Sequence, residues 1–200
     1  MTDRLPPTPE GIERAAALLR LGDVVAFPTD TVYGVAVAAS RADRLDALFE
    51  LKRRPLDRRI PMLVTDLEQA ASVGAVVDDR ARALADRFWP GALTLVVPLG
   101  DATQAFRAPD HPVALALIRA AGPLLATSAN ISDQPDTLGA DEVLIAFATQ
   151  QDELSAVVDG GPVPGGVAST VVDLAGTPAR VLRAGPIDHA ELSEVVALEP

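Results

Sequence analysis

The chain contains no cysteine, which excludes disulfides, thiolate nucleophiles and the cysteine-based tetrahedral zinc sites. Its two histidines, His111 and His189, are too few for a histidine-built metal cluster, and no metal ligands are expected. Aromatic residues are scarce, with one Trp, one Tyr and five Phe. Little is therefore available for the base stacking by which proteins grip single-stranded RNA. No apolar run approaches the roughly 20 residues that span a bilayer. The opening MTDRLPPTPEG is polar and Pro-rich, unlike the apolar core of a secretory signal. A soluble, cytoplasmic protein with no membrane partner is the expectation. Familiar site signatures are missing too: G-x-x-x-x-G-K-[ST], G-x-G-x-x-G between strand and helix, H-E-x-x-H and G-x-S-x-G are all absent. A nucleotide, if bound, is bound without a P-loop.

What is present suits one substantial domain, expected to cover residues 1–200. The 200 residues are 48% hydrophobic and 22% charged, an ordinary globular composition with ample material for a core. The formal net charge of −11 argues against broad attraction to a polynucleotide. Against that background LKRRPLDRR, residues 51–59, carries five cations and one carboxylate. It also contains Lys52, the single lysine; every other basic side chain is arginine.

Local pattern alternates between helix and strand. PTPEGIERAAALLRLGD has a cap in Thr8, a first-turn proline in Pro9, an apolar face through Ile12, Ala15, Ala16, Leu18 and Leu19, and a stop at Gly22. DVVAF and VYGVAVA read as strands around a PTDT turn. SRADRLDALFELK reads as a helix with a Ser40–Asp43 capping box, ending at Lys52, with Pro55 breaking it. IPMLV is a strand, DDRARALADRFW a helix, ALTLVVP a β-branched strand, HPVALALIRAAG a helix and PLLATSAN a strand running into a polar turn. ADEVLIAFATQ is a further helix; AVVDGG, STVVDL and RVLRAG are short strands; DHAELSEVVA is a closing helix capped by Asp188. The alternation predicts an α/β fold around one mixed sheet with flanking helices, without repeats or linkers.

Three stretches carry most of the candidate chemistry, and three others add to it. Lys52 and Arg54 follow a helix and precede a proline, which predicts an exposed position at the rim of a cleft. Guanidinium forks and a compact ammonium suit phosphate oxygens, and a solvated charge run fits the same pattern. FPTDTVYG sets Thr29, Asp30, Thr31 and Tyr33 between two apolar strands, suited to a small polar ligand or to an ordinary turn bonded to its own backbone. LLATSANIS ends a buried strand in Thr127, Ser128 and Asn130, where ligands collect in open α/β sheets; a capping turn is the alternative. Ser169 and Arg183, in GGVASTVVDL and RVLRAG, and Arg107 in FRAPDHP add a hydroxyl and two guanidiniums near strand ends.

In this order the pieces resemble the L-threonylcarbamoyladenylate synthase family, the YrdC-type domain. FPTDTVYG, Lys-x-Arg-Pro at Lys52 to Pro55, FWPGALTLV, Ser-x-Asn at Ser128 to Asn130, and STVVDL all stand in family order, over about residues 10–187. The resemblance implies a twisted sheet enclosing a basic concave cleft. It implies synthesis of threonylcarbamoyl-AMP from ATP, L-threonine and bicarbonate with release of pyrophosphate, magnesium entering with ATP. A separate threonylcarbamoyl transferase complex would move the group onto a tRNA adenosine, with at most weak tRNA contact by this chain. Carried over by residue, Lys52 and Arg54 hold phosphates and act catalytically. Arg58, Thr103, Asn130 and Arg183 contact ATP, and Thr31, Arg107, Ser128 and Ser169 hold threonine. Three positions depart from the pattern: Leu63 where some members have a threonine-contacting histidine, Asp133 where SANxSG has glycine, and an unsettled match at Thr137 or Leu138. The chain resembles the short form, without the C-terminal domain and its gating. A divergent paralogue or an RNA-binding module using the same cleft are the competing readings.

Overall fold

The first helix forms as its pattern dictates. Thr8 Oγ1 accepts from the Gly11 N–H, Pro9 opens the helix, and Gly22, at φ 95°, closes it. In the computed structural model, which describes residues 2–53, 59–150 and 153–199, it is α1, Pro9–Leu21. The other helices are α2 (Leu45–Lys52), α3 (Leu67–Ser72), α4 (Asp79–Phe88), α5 (Pro112–Ala121), α6 (Ala140–Ala146) and α7 (His189–Ser193). The strands are β1 (Asp3–Leu5), β2 (Val24–Pro28), β3 (Tyr33–Ala38), β4 (Met62–Leu63), β5 (Leu93–Leu99), β6 (Ala102–Arg107), β7 (Leu124–Ser128), β8 (Leu154–Val158), β9 (Thr170–Asp173) and β10 (Arg180–Arg183).

Among the described residues these strands form one mixed sheet in the order β1-β8-β2-β3-β7-β4-β6-β5-β9-β10. β2 and β3 sit inside it, and every one of their residues is buried. That is why both read as near-continuous apolar runs. The side-chain period of two divides them between two cores. Val24, Ala26, Val35 and Val37 face a cluster that includes buried residues of α2, α3, α4, α6 and α7. Val25, Phe27, Ala36 and Ala38 face a second cluster containing α1 and α5. The expected α/β architecture, a mixed sheet with helices on both faces, is the observed one.

Several local readings need correction. Ser40 makes no cap: residues Ala39–Arg44 are a 3-10 turn kinked at Arg41, and the Asp43 carboxylate pairs with Arg41 instead. α2 therefore starts only at Leu45. IPMLV contributes just two strand residues. β1, α3 and β6 were not expected. β6 forms because Gly100, at φ 57°, and Asp101 make a two-residue connection that folds Ala102–Arg107 back on β5. No helix among the described residues is long and apolar enough to cross a membrane.

Candidate active site

Seven neighbouring strands, β3 through β10 in sheet order, contribute to the wall of one cavity of about 390 Å³. That volume falls in the range of small-molecule sites. Its charged lining is Arg59, Arg107, Arg183 and Asp136, so guanidiniums outnumber carboxylates three to one and the cleft is basic. All four expected threonine contacts, Thr31, Arg107, Ser128 and Ser169, line it, as does Arg183 from the ATP set. Lys52 and Asn130, each bonded to Ser128, and Thr103, bonded to Arg59, stand one hydrogen bond back from the wall. Arg54 and Arg58 lie outside the described residues.

The β2–β3 turn is built by its own hydroxyls. Thr29 Oγ1 donates to Val32 O at 2.6 Å and accepts from the Thr31 and Val32 N–H groups, and it lies 3.1 Å from Thr31 Oγ1. The turn and ligand readings of FPTDTVYG are thus compatible: Thr29 folds the turn, which presents Thr31 to the cavity. Arg107, at the end of β6, reaches the same turn. Its Nη2 donates to Asp30 Oδ2 at 2.7 Å, its Nε to Gly91 O at 3.0 Å, and its Nη1 lies 3.4 Å from Thr31 Oγ1.

The β9–β10 side repeats the arrangement with different partners. Arg183 Nε donates to Ser169 O at 3.0 Å and Nη2 to Ser169 Oγ at 3.1 Å. Ser169 Oγ also lies 2.8 Å from Thr94 Oγ1, both hydroxyls being buried. Burial first, then the positive charge of Arg107, lowers the Arg183 pKa from the ordinary arginine value, without discharging a guanidinium. Two arginines thus project one positive field into one cavity, a setting for an anionic ligand.

Lys52 is not where the sequence places it. It is 2% exposed, not on a cleft rim. Its position on the inward face of α2, beside buried Leu48 and Leu51, draws the stem into the core. The ammonium donates to the carbonyls of Ser128 and Asn130, the latter at 2.6 Å, and to Asn130 Oδ1 at 3.1 Å. Ser128 Oγ donates to the same Asn130 Oδ1 at 2.6 Å, and Asn130 Nδ2 donates to Gln134 O at 2.6 Å. The Ser-x-Asn turn is therefore folded around a buried cation. Just beyond it Asp133 has φ 64°, the left-handed conformation that favours glycine, so the departure at this position keeps a glycine-like backbone. Leu63 is buried and lines the cavity as an apolar contact.

Tyr33 also gains a role. It is fully buried, and its hydroxyl donates to Gly161 O at 2.7 Å, tying β3 to the Gly-rich loop whose Gly166 and Ala168 line the cavity. Burial, aided by the charge of Asp159, pushes its phenol pKa up, so it remains a donor at neutral pH. Tyr33→Phe is expected to cost about 1 kcal/mol in denaturant unfolding, the ordinary net worth of one part-buried hydrogen bond. Sequence reasoning saw Asp30 only as a member of the FPTDTVYG stretch and gave no role to Arg59, Thr94 or Asp136. Arg59 had a signal, the fifth cation of LKRRPLDRR; its Nη1 donates to Thr103 Oγ1 at 2.6 Å and it lines the cavity.

The model of the Sua5/YciO/YrdC family, described as telomere recombination, matches residues 17–185. The chain belongs to the Sua5/YciO/YrdC family. This Sua5/YciO/YrdC chain is 40% identical to the threonylcarbamoyl-AMP synthase of Bacillus subtilis, over 98% of its own length and 59% of the relative's. It is 37% identical to the threonylcarbamoyl-AMP synthase of Pyrococcus abyssi, over 92% of its length and 57% of the relative's. The chain thus spans somewhat over half of those two proteins. The crystal structure of P. abyssi Sua5 complexed with L-threonine superimposes with a TM-score of 0.89 at 34% identity, covering 100% of this chain and 63% of that one. The family resemblance read from five short motifs is correct.

Proposed function

We propose that this member of the family makes threonylcarbamoyl-AMP from ATP, L-threonine and bicarbonate, releasing pyrophosphate. The observation that carries the reading is the convergence of Thr31, Arg107, Ser128, Ser169 and Arg183 on one basic cavity. The names of the Bacillus and Pyrococcus relatives, and the threonine bound to P. abyssi Sua5, support the substrate class.

In this reading the threonine amine, having lost a proton, adds to the carbon of CO2 to give a carbamate; where bicarbonate is the carbon source, a C–O bond breaks and water leaves. A carbamate oxygen then attacks the α-phosphorus of ATP. The bond from that phosphorus to the bridging oxygen breaks, and pyrophosphate leaves with the electron pair. Arg107 takes the threonine carboxylate, as a guanidinium fork suits. The Thr31, Ser128 and Ser169 hydroxyls orient the amino acid, which is where most of the rate advantage of such a reaction arises. Arg183 and Arg59, the latter held by Thr103, face the developing charge on the phosphates. Lys52 acts by fixing the Ser128–Asn130 turn as well as by its charge. Magnesium enters as part of the Mg–ATP substrate. The product, a reactive mixed anhydride, passes to a separate threonylcarbamoyl transferase that modifies tRNA.

Incubation with ATP, magnesium, carbon-13 bicarbonate and nitrogen-15 threonine tests the reading by mass spectrometry. An adenylate carrying both labels is expected. An adenylate of threonine lacking the labelled carbon, or no adenylate, contradicts it.

A further inference from the structure

The Asp30 carboxylate is poorly explained as a device for stability. Both it and Arg107 are largely buried, with side-chain exposures of 16% and 11%. Asp30 Oδ2 accepts from Arg107 Nη2 at 2.7 Å, while Oδ1 is buried and has no hydrogen-bond partner among the described residues. A buried ion pair contributes to stability only when its remaining lone pairs are satisfied, and here they are not. The other end of the pair explains more. Arg107 carries five N–H groups. Gly91 O takes Nε, Asp30 takes one from Nη2, and Thr31 Oγ1 lies within weak reach of Nη1. These contacts fix the plane and roll of the guanidinium, leaving one N–H on each Nη atom for a ligand, and Arg107 lines the cavity.

We propose that Asp30 is a positioning residue that locks Arg107 in the orientation that receives the substrate carboxylate, and so sets affinity for threonine while leaving ATP affinity largely untouched. The inference rests on the reading of the cavity as a threonine site. Gly91 O fixes the guanidinium at Nε only, and torsion about the last side-chain bonds would otherwise swing the two Nη groups. The carboxylate supplies the second fixed point, at the far end of the fork. It also supplies a negative charge beside a cavity holding three guanidiniums, so Arg107 meets its ligand already oriented and not dispersed among anions.

Isothermal titration of threonine, and separately of ATP, into the wild type, Asp30→Asn, Arg107→Gln and the double variant tests this. Wild type that binds no threonine overturns the substrate reading itself. Given wild-type binding, Asp30→Asn is expected to weaken threonine about 10-fold or more, with ATP affinity within about threefold. Asp30→Glu is expected to recover part of the loss, since it restores the charge at a displaced position. In the Arg107→Gln background the Asp30 substitution is expected to have no further effect on threonine. The proposal is overturned if Asp30→Asn binds threonine within twofold of wild type, if threonine and ATP weaken equally, or if the two substitutions act independently.

Discussion

Lys52→Ala is expected to lose about 3 kcal/mol of stability together with adenylate formation. The lysine is buried and its ammonium bonds two backbone carbonyls and the Asn130 side chain. Truncation leaves these acceptors without that donor and opens a void along the stem, each a recognised source of large losses. For a chain of this size the melting temperature should fall by roughly 6–12 °C. Lys52→Met separates the two parts, because it keeps the stem and removes the ammonium. It should regain the packing contribution without regaining activity. Denaturant unfolding beside a pyrophosphate assay measures both. An Ala variant as stable as wild type would show that the Ser128–Asn130 turn stands without its cation.

Arg107→Gln is expected to raise the KM for threonine about 100-fold or more, with a much smaller change in the KM for ATP. The size follows from removing one partner of a buried, charge-assisted contact, at roughly 2–5 kcal/mol. Stability should fall as well, by roughly 3–5 kcal/mol, because Asp30 is left charged, largely buried and without its donor. Combining the change with Asp30→Asn should restore part of that stability and none of the threonine affinity. Initial rates with each substrate varied, and unfolding curves for the single and double variants, give the numbers. Equal effects on the two KM values would remove Arg107 from the amino-acid end of the site.

How far the sequence discloses this site depends on which physical signal each part leaves. Strands β2, β3, β5 and β7 are legible because central burial demands apolar, β-branched runs. β6 is hidden by its sequence, ATQAFR, which is mostly half-exposed; its mark is the Gly-Asp connection before it. β1 is three residues long and relies on β8 for pairing, so it has almost no local signature. The Ser40–Asp43 spacing satisfies a capping box, but a kink at Arg41 separates the two residues from the helix, a tertiary effect invisible to spacing. Thr31, Arg107, Ser128, Ser169 and Arg183 are found through motifs, and the fold brings them to one cavity. The burial of Lys52 is not found, because a charged residue at a helix end reads as solvent-facing until the helix face is known. Asp30 is seen as part of a turn, but its pairing with Arg107 spans 77 positions and no local pattern encodes it.

The most direct test of the account is pyrophosphate release from Mg–ATP by the wild-type protein, with threonine and bicarbonate each supplied or withheld. The account predicts release only when both are present. Release with ATP alone, or with threonine but no bicarbonate, would contradict it and leave the cavity a nucleotide site of different chemistry.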